Sequence, residues 1–241
     1  MKFSNYSIPT AKWYYPTSTT YKPTRSNEQT VADYSYCTHH PSILSMKSLK
    51  IFSRFISHHN HLADDDTYQL HDKQLNRNLE RRGFIRLPVR GDGNCLFYAL
   101  AEGILHEMHV DKDFDYRIQT LMNFTHKRTI AHIASLLRQL CVDQWKKNQQ
   151  FYSNFIDQKV TFLKEVKKFS KNGVSESILG DIVPLTICNA LNIHVTIFTS
   201  VSDLPLIEVK SDSIFGEGIK TIYLAYNQNG AGHYDAAYRY A

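Results

Sequence analysis

Apolar residues recur at a helical period through much of the chain after residue 62, and they alternate with polar residues near its end. The first pattern predicts amphipathic helices and the second predicts strands. The predicted helices are Tyr68–Arg82, Leu96–Met108, Thr129–Trp145, one or two within Phe151–Phe169, and Ile178–Leu191. The predicted strands are Ile193–Thr199, Leu206–Lys210, Ile219–Tyr226 and His233–Tyr238. Helices followed by strands indicate an α+β fold with an antiparallel or mixed sheet.

Glycine, proline and acidic residues predict where several of these elements begin and end. Gly83 is expected to end the first helix, and Pro184 must fall in the first turn of the last one. Residues 84–89 are extended, and Pro88 keeps them out of a central position in a sheet. The acidic run Asp111–Asp115 is predicted to be a turn or loop.

The first 62 residues differ in composition from the rest of the chain. Residues 1–42 are rich in Ser, Thr, Tyr and Pro without a sustained period, which predicts a largely disordered segment. Residues 43–56 have the pattern of a short basic amphipathic helix. We expect it to pack on the domain or on a partner, and a membrane-surface helix is the alternative. The sequence thus predicts a basic extension, 1–62, followed by a folded domain, 63–241.

Charge and cysteine usage limit the classes of function. Residues 1–62 hold seven of the 28 Lys and Arg residues but only two of the 23 acids, so the net charge of +5 resides there. The balanced remainder gives no reason to expect nucleic acid as a partner. No run is long and apolar enough to span a membrane, and no secretory signal is evident at the N-terminus. Four scattered cysteines are typical of a reducing, cytoplasmic location.

The most informative stretch is Arg90–Leu100, which places one cysteine between a glycine-paired loop and a predicted helix. Cys95 would lie at the helix N-terminus, where the backbone dipole favours a thiolate. Gly91 and Gly93 permit backbone angles that other residues resist, so that loop N–H groups could turn toward an anion. This arrangement predicts a nucleophile beside an oxyanion site. Cys141 and Cys188 lie on apolar helix faces and are expected in the core, and Cys37 has no predicted chemistry.

A candidate base lies far downstream, at the start of the last predicted strand. His233 and Asp235 are two residues apart, so they share one face of a strand, and Asp235 is placed to orient the His233 ring. A cysteine with a distant histidine, adjacent only in the fold, is the layout of a cysteine protease.

Gly-Asp-Gly-Asn-Cys-Leu-Phe-x-Ala-Leu at 91–100, with His-Tyr-Asp-Ala at 233–236, resembles the OTU (ovarian tumour) family of cysteine proteases. The segment from Gly180-Asp181-Ile182 to the strand ending at Phe198 resembles that family's central helix and strand. The resemblance covers roughly Leu70 to Ala241. One departure is Leu179-Gly180, where many members carry Trp-Gly, and it affects packing more than chemistry.

The resemblance implies a papain-like OTU fold, with helices packed around a small central sheet, and a role for each motif residue. Cys95 would be the nucleophile, His233 the general base and acid, and Asp235 the residue that orients His233. Asp92 would shape the loop. The backbone N–H groups of Asp92, Gly93, Asn94 and Cys95 would form the oxyanion hole. Gly230, Gly232 and Tyr234 are candidate substrate contacts.

The function implied is that of a deubiquitinase, which hydrolyses isopeptide bonds at the C-terminal glycine of ubiquitin and acts on ubiquitin and polyubiquitin chains. We expect a monomer that needs no cofactor. The alternatives are a catalytically silent ubiquitin-binding module, or a protease for a ubiquitin-like modifier or viral polyprotein. The histidines at 39, 40, 58, 59 and 61 lack the spacing of a zinc motif, so no metal is predicted. The sequence does not indicate which ubiquitin linkage would be preferred.

Overall fold

The computed structural model describes residues 65–124, 128–156, 161–175, 177–211 and 219–240. The described chain contains seven α-helices, two short 3₁₀ turns and five strands. The helices are α1 (Asp65–Glu80), α2 (Cys95–Val110), α3 (Lys112–Met122), α4 (Ile130–Lys147), α5 (Gln149–Tyr152), α6 (Phe162–Phe169) and α7 (Val183–Leu191), and the 3₁₀ turns are Ser153–Phe155 and Gly180–Ile182. The strands are β1 (Phe84–Leu87), β2 (His194–Thr199), β3 (Leu206–Val209), β4 (Thr221–Asn227) and β5 (His233–Arg239).

The five strands form one mixed sheet in the order β1-β5-β4-β2-β3. Strands β2 and β4 run parallel, and every other neighbouring pair is antiparallel. The α+β class and the mixed sheet expected from the sequence are therefore confirmed. Strand β1 is an edge strand beside β5, with Leu87 opposite Ala236, as the proline at 88 predicted. This pairing brings the chain just after β1 alongside Asp235.

Helices cover both faces of the sheet, and the alternating side chains of the strands separate two cores. Helix α2 packs against β4 and β5 within the larger core. Helix α1 contacts β1, β2 and β4 on the other face, where Leu75 and Leu79 are buried against Phe84, Phe198 and Ala237. Because side chains two apart on a strand share a face, Asp235 lies on the same face of β5 as Ala237. The α1 helix therefore covers the face from which Asp235 projects.

The prediction of a loop at Asp111–Asp115 is wrong, since these residues begin helix α3. The Asp111 carboxylate accepts hydrogen bonds from the N–H groups of Asp113 and Phe114, both at 3.0 Å, which is an N-cap. Phe114, Ile118 and Met122 then bury one face at a four-residue spacing. The acidic run is a helix start, because carboxylates stabilise the positive end of the helix dipole.

Other boundaries differ by a few residues or fall outside the described chain. The helix predicted at Ile178–Leu191 begins as a 3₁₀ turn and becomes α-helical at Val183, with Pro184 in its first turn as expected. Cys141 and Cys188 are buried as predicted. The extension 1–62, the amphipathic segment 43–56 and Cys37 lie outside the described residues. Within the described ranges, no helix combines the length and apolar character needed to cross a membrane.

Candidate active site

Cys95 is the first residue of helix α2, directly after a short segment, residues 91–94, that we call the cysteine loop. Asn94 occupies the N-cap position, and its carbonyl accepts the first helical hydrogen bond, from the Tyr98 N–H at 2.9 Å. The first N–H groups of a helix have no acceptor within it. The Cys95 N–H is therefore placed beside its own partly exposed thiol without an intrahelical partner.

Asp92 folds the cysteine loop around its carboxylate. One oxygen, Oδ1, accepts from the Asn94 N–H at 3.2 Å and from Asn94 Nδ2 at 3.0 Å, and Oδ2 accepts from the Tyr98 hydroxyl at 3.0 Å. Desolvation raises the pKa of Asp92, but the bonds from Asn94 and Tyr98 together bring it below its ordinary value. The Asn94 N–H, one of the four expected oxyanion donors, is thus already bound within the loop.

Arg138 of helix α4 holds the cysteine loop from inside the protein. Its buried guanidinium donates to the Gly93 carbonyl at 3.1 Å and to Asn94 Oδ1 at 2.9 Å. It also donates to the carbonyls of Phe169 and Val174. The group lies 4.5 and 4.7 Å from the ring centres of Phe97 and Phe169. Four donors on one rigid fork therefore fix the loop relative to the segment after α6.

Two glycines meet where the cysteine loop touches the segment that follows α6. Gly93 has φ +80°, and a Cβ at this position would come within 1.9 Å of the Gly173 carbonyl oxygen. Gly173 has φ +78°, and its N–H donates to Asn94 Oδ1 at 3.1 Å. Any other residue at 93 is excluded both by its backbone angle and by lack of space.

His233 begins strand β5 and faces the cysteine loop. Its Nε2 lies 3.0 Å from Asp235 Oδ1, and a Cβ on Gly91 would lie 3.6 Å from its Nδ1. The hydrogen bond to Asp235 and then the hydrogen bond to Cys95 raise the pKa of His233 to about 10. Since Nε2 is directed at Asp235, Nδ1 is the nitrogen left for the Cys95 thiol. The structure thus places His233 next to both Cys95 and Asp235, with a 3.0 Å hydrogen bond from its Nε2 to Asp235.

Asp235 is a nearly inaccessible carboxylate with three donors around it. Oδ1 accepts from the Val89 N–H at 2.8 Å as well as from His233, and Oδ2 accepts from Arg86 Nε. Burial raises the pKa of Asp235, but the hydrogen bonds from His233, Val89 and Arg86 outweigh this effect and lower it. The carboxylate is therefore ionised and fixed in orientation toward His233. Arg86 Nη1 is paired in turn with Asp72 of helix α1.

The three expected substrate contacts have structural roles, Gly230 and Gly232 in the loop before β5 and Tyr234 within β5. Gly230 and Gly232 have φ +61° and +75°, and a Cβ on Gly232 would come within 2.5 Å of the Tyr226 hydroxyl. Tyr234 is 9% exposed, and its ring centre lies 4.5 Å from that of Tyr226. The Tyr234 side chain thus belongs to the core, and a substrate contact of this residue stays a prediction.

Sequence reasoning missed three residues that hold the site, namely Arg86, Arg138 and Gly173. A weak signal existed for Arg138, since it interrupts the apolar face of helix α4 between Ala134 and Cys141. Nothing local distinguished Arg86 or Gly173. The described residues contain no group of three or more His, Cys, Asp or Glu side chains arranged to hold a metal ion.

No protein-family model matches the sequence, and no curated protein matches it. Comparison with solved structures identifies the arrangement of helices and sheet as the OTU fold. One matching structure is h/ceOTUB1–ubiquitin aldehyde–UBCH5B~Ub, with a TM-score of 0.52 and 16% identity over 81% of this chain and 97% of the other. The corresponding UBC13~Ub structure has a TM-score of 0.51 and 15% identity over 82% and 98%. A ceOTUB1–ubiquitin aldehyde–UBC13~Ub complex has a TM-score of 0.50 and 17% identity over 79% and 91%.

Proposed function

We propose that the protein is a cysteine deubiquitinase that cleaves isopeptide bonds at the C-terminal glycine of ubiquitin. The observation that carries this proposal is the grouping of Cys95, at a helix N-terminus, with His233, whose Nε2 is hydrogen-bonded to the buried Asp235 carboxylate. The matched OTUB1 structures contain ubiquitin aldehyde, which gives the class of substrate a precedent on this fold.

The first half of the reaction forms a thioester. His233 Nδ1 takes the thiol proton, and the resulting Cys95 sulfur attacks the carbonyl carbon of the terminal glycine. The carbonyl oxygen gains negative charge and is met by the Cys95 N–H. When the intermediate collapses, the carbon–nitrogen bond breaks, and His233 returns its proton to the leaving lysine amine. Asp235 stabilises the imidazolium throughout, because it accepts from Nε2.

The second half releases ubiquitin. His233, neutral after giving up its proton, takes a proton from a water molecule that attacks the thioester carbon. The carbon–sulfur bond breaks, and the new carboxylic acid loses its remaining proton to solvent as the ubiquitin carboxylate leaves. The proton on His233 returns to the Cys95 sulfur or stays on His233. No step calls for a metal or an organic cofactor.

A ubiquitin probe with a C-terminal electrophile tests the assignment directly. We expect the parent protein to form a covalent adduct at Cys95, and the Cys95→Ala variant to form none. Cleavage of diubiquitin should disappear in the same variant. An adduct or cleavage that survives Cys95→Ala would contradict the nucleophile assignment.

The same experiment separates the alternatives. A silent ubiquitin-binding module would bind ubiquitin without adduct or cleavage, and a protease for another modifier would react with a ubiquitin-like probe in preference to ubiquitin. Incubation with all eight diubiquitin linkages would then define linkage preference.

Residues 1–62 are proposed to be a basic extension for localisation or partner binding that is dispensable for cleavage by a monomeric, cytoplasmic domain 63–241. A truncated protein beginning at residue 63 retains all of helix α1, which covers the sheet face that carries Asp235. We expect it to cleave diubiquitin at the rate of the full chain, and a folded but inactive truncation would contradict the proposal.

A further inference from the structure

Helix α1 lies outside the three motifs that define the site, yet it is linked to Asp235 by a short path. Asp72 on α1 pairs with Arg86 Nη1, and Arg86 Nε donates to Asp235 Oδ2. The Arg86 side chain is 16% exposed and that of Asp235 is 1% exposed, so the guanidinium lies between two carboxylates with little access to water.

Each carboxylate in this path has its remaining oxygen occupied. Asp235 Oδ1 accepts from His233 and from the Val89 N–H. Asp72 Oδ2 accepts from Asn76 one helical turn away, at 3.1 Å. Among the described residues, Arg86 therefore joins the orientation of Asp235 to the position of α1.

The helix itself is fixed to the same end of the sheet by two further contacts. Asn78 is buried and donates to the Thr199 carbonyl at 3.1 Å. His71 Nδ1 lies 3.0 Å from the Ser200 hydroxyl, which accepts from the Gln228 N–H at 2.9 Å. The second contact reaches the loop that precedes His233, so α1 supports both residues of the histidine side.

We propose that Arg86 is a positioning residue of the catalytic site and that Asp72 orients it, so that helix α1 is part of the catalytic apparatus. By binding Oδ2, Arg86 fixes the Asp235 carboxylate in the orientation in which Oδ1 accepts from His233 Nε2. A fork with two donors on separate nitrogens spans Asp72 and Asp235, whereas a lysine presents a single ammonium group. This inference rests on the proposed function.

The first test is a double-mutant cycle. Arg86→Met is expected to lower kcat for diubiquitin cleavage by about 10–100-fold, the usual cost of removing a residue that orients a reacting group, with KM unchanged. Arg86→Lys should restore only part of the loss, and Asp72→Asn should show a smaller loss. In an Asp235→Ala background, Arg86→Met should have no further effect on kcat, because its action passes through Asp235.

The control is Arg128→Met, which removes an ion pair with Asp115 away from the site and should leave kcat unchanged. An Arg86→Met variant that keeps the parental kcat would overturn the inference. So would an equal loss in the parent and Asp235→Ala backgrounds, since that would be a general structural effect.

A second measurement does not depend on ubiquitin. The rate of iodoacetamide alkylation of Cys95, followed by mass spectrometry across pH, reports how well His233 stabilises the thiolate. In Arg86→Met the pH of half-maximal alkylation should rise, and Arg128→Met should leave it in place. An unchanged midpoint in Arg86→Met would overturn the inference. If the parent protein fails to cleave ubiquitin while this shift occurs, the proposed substrate is wrong and the positioning role stands.

Discussion

The two sides of the site each depend on an arginine, but the two arginines act through different chemistry. Arg138, on the cysteine side, is 5% exposed and donates only to neutral oxygens, between two aromatic rings. Arg86, on the histidine side, lies between two carboxylates, and Asp72 is 31% exposed. The hydrogen bonds that Arg138 makes on the cysteine side therefore depend little on pH and salt, whereas the Asp72–Arg86–Asp235 pairs on the histidine side are between charges that depend on both.

The largest effect on activity is expected at Gly93, where the cysteine loop packs most closely against Gly173. Gly93→Ala would force a Cβ to within 1.9 Å of the Gly173 carbonyl oxygen, so the cysteine loop must move. We expect kcat/KM for diubiquitin to fall by about 10²–10³-fold, as when an oxyanion donor is lost. Gly180→Ala is the matched control, since its Cβ would lie 3.6 Å from the Ser175 carbonyl oxygen. A Gly93→Ala variant with parental kcat/KM would show that the loop is not a rigid framework.

Arg138→Met tests the cysteine side through stability. Four acceptors, two of them in fully buried hydrogen bonds, lose their donor together, so the free energy of unfolding in urea should fall by about 3–5 kcal/mol. Arg117→Met is the comparison, because Arg117 donates to the Leu191 and Asn192 carbonyls at the end of α7. Its loss should be about 1–3 kcal/mol. Equal losses for the two variants would argue against a special role for Arg138.

The activity that depends on the histidine side should change with pH. The Asp235 bond is the first cause of the raised His233 pKa of about 10, so activity that needs the imidazolium should decline only as pH rises through that value. In Asp235→Asn the alkaline limb of kcat/KM should move down toward 6.5, the ordinary histidine value. Asp115→Asn, remote from His233, should leave the limb in place. If kcat/KM of Asp235→Asn still declined only near pH 10, Asp235 would not be the group that raises the His233 pKa.

The smallest effect is on stability itself. A group whose pKa is raised on folding stabilises the fold fully below its unfolded pKa and loses that contribution as pH rises through its folded pKa. For His233 this window runs from 6.5 to about 10. We expect unfolding free energies, measured in urea across this window, to fall less in His233→Gln than in the parent. His132→Gln on helix α4 should keep the parental slope, and an identical slope in His233→Gln would contradict the expectation.

The parts of this architecture that the sequence predicted are those encoded within a few neighbouring residues. Cys95 at a helix start and the shared face of His233 and Asp235 follow from local periods. Arg138 reaches Gly93 across 45 residues, and Arg86 reaches Asp235 across 149. Such contacts depend on how β1, β5 and α4 pack, which no local pattern records. The missed helix α3 is different, because Asp111 carried a cap signal that was interpreted as a turn.

The contact of Gly93 with Gly173 also limits which residues position 173 can accept. Residue 93 belongs to a recognisable motif, whereas residue 173 lies outside the motifs that the sequence analysis identified. The geometry makes them one unit, since Gly173 has φ +78° and a Cβ there would lie 3.3 Å from the Asp92 carbonyl oxygen. A library that randomises residues 171–175 and selects for cleavage is therefore expected to return glycine at 173, and to tolerate variety at 171 and 172.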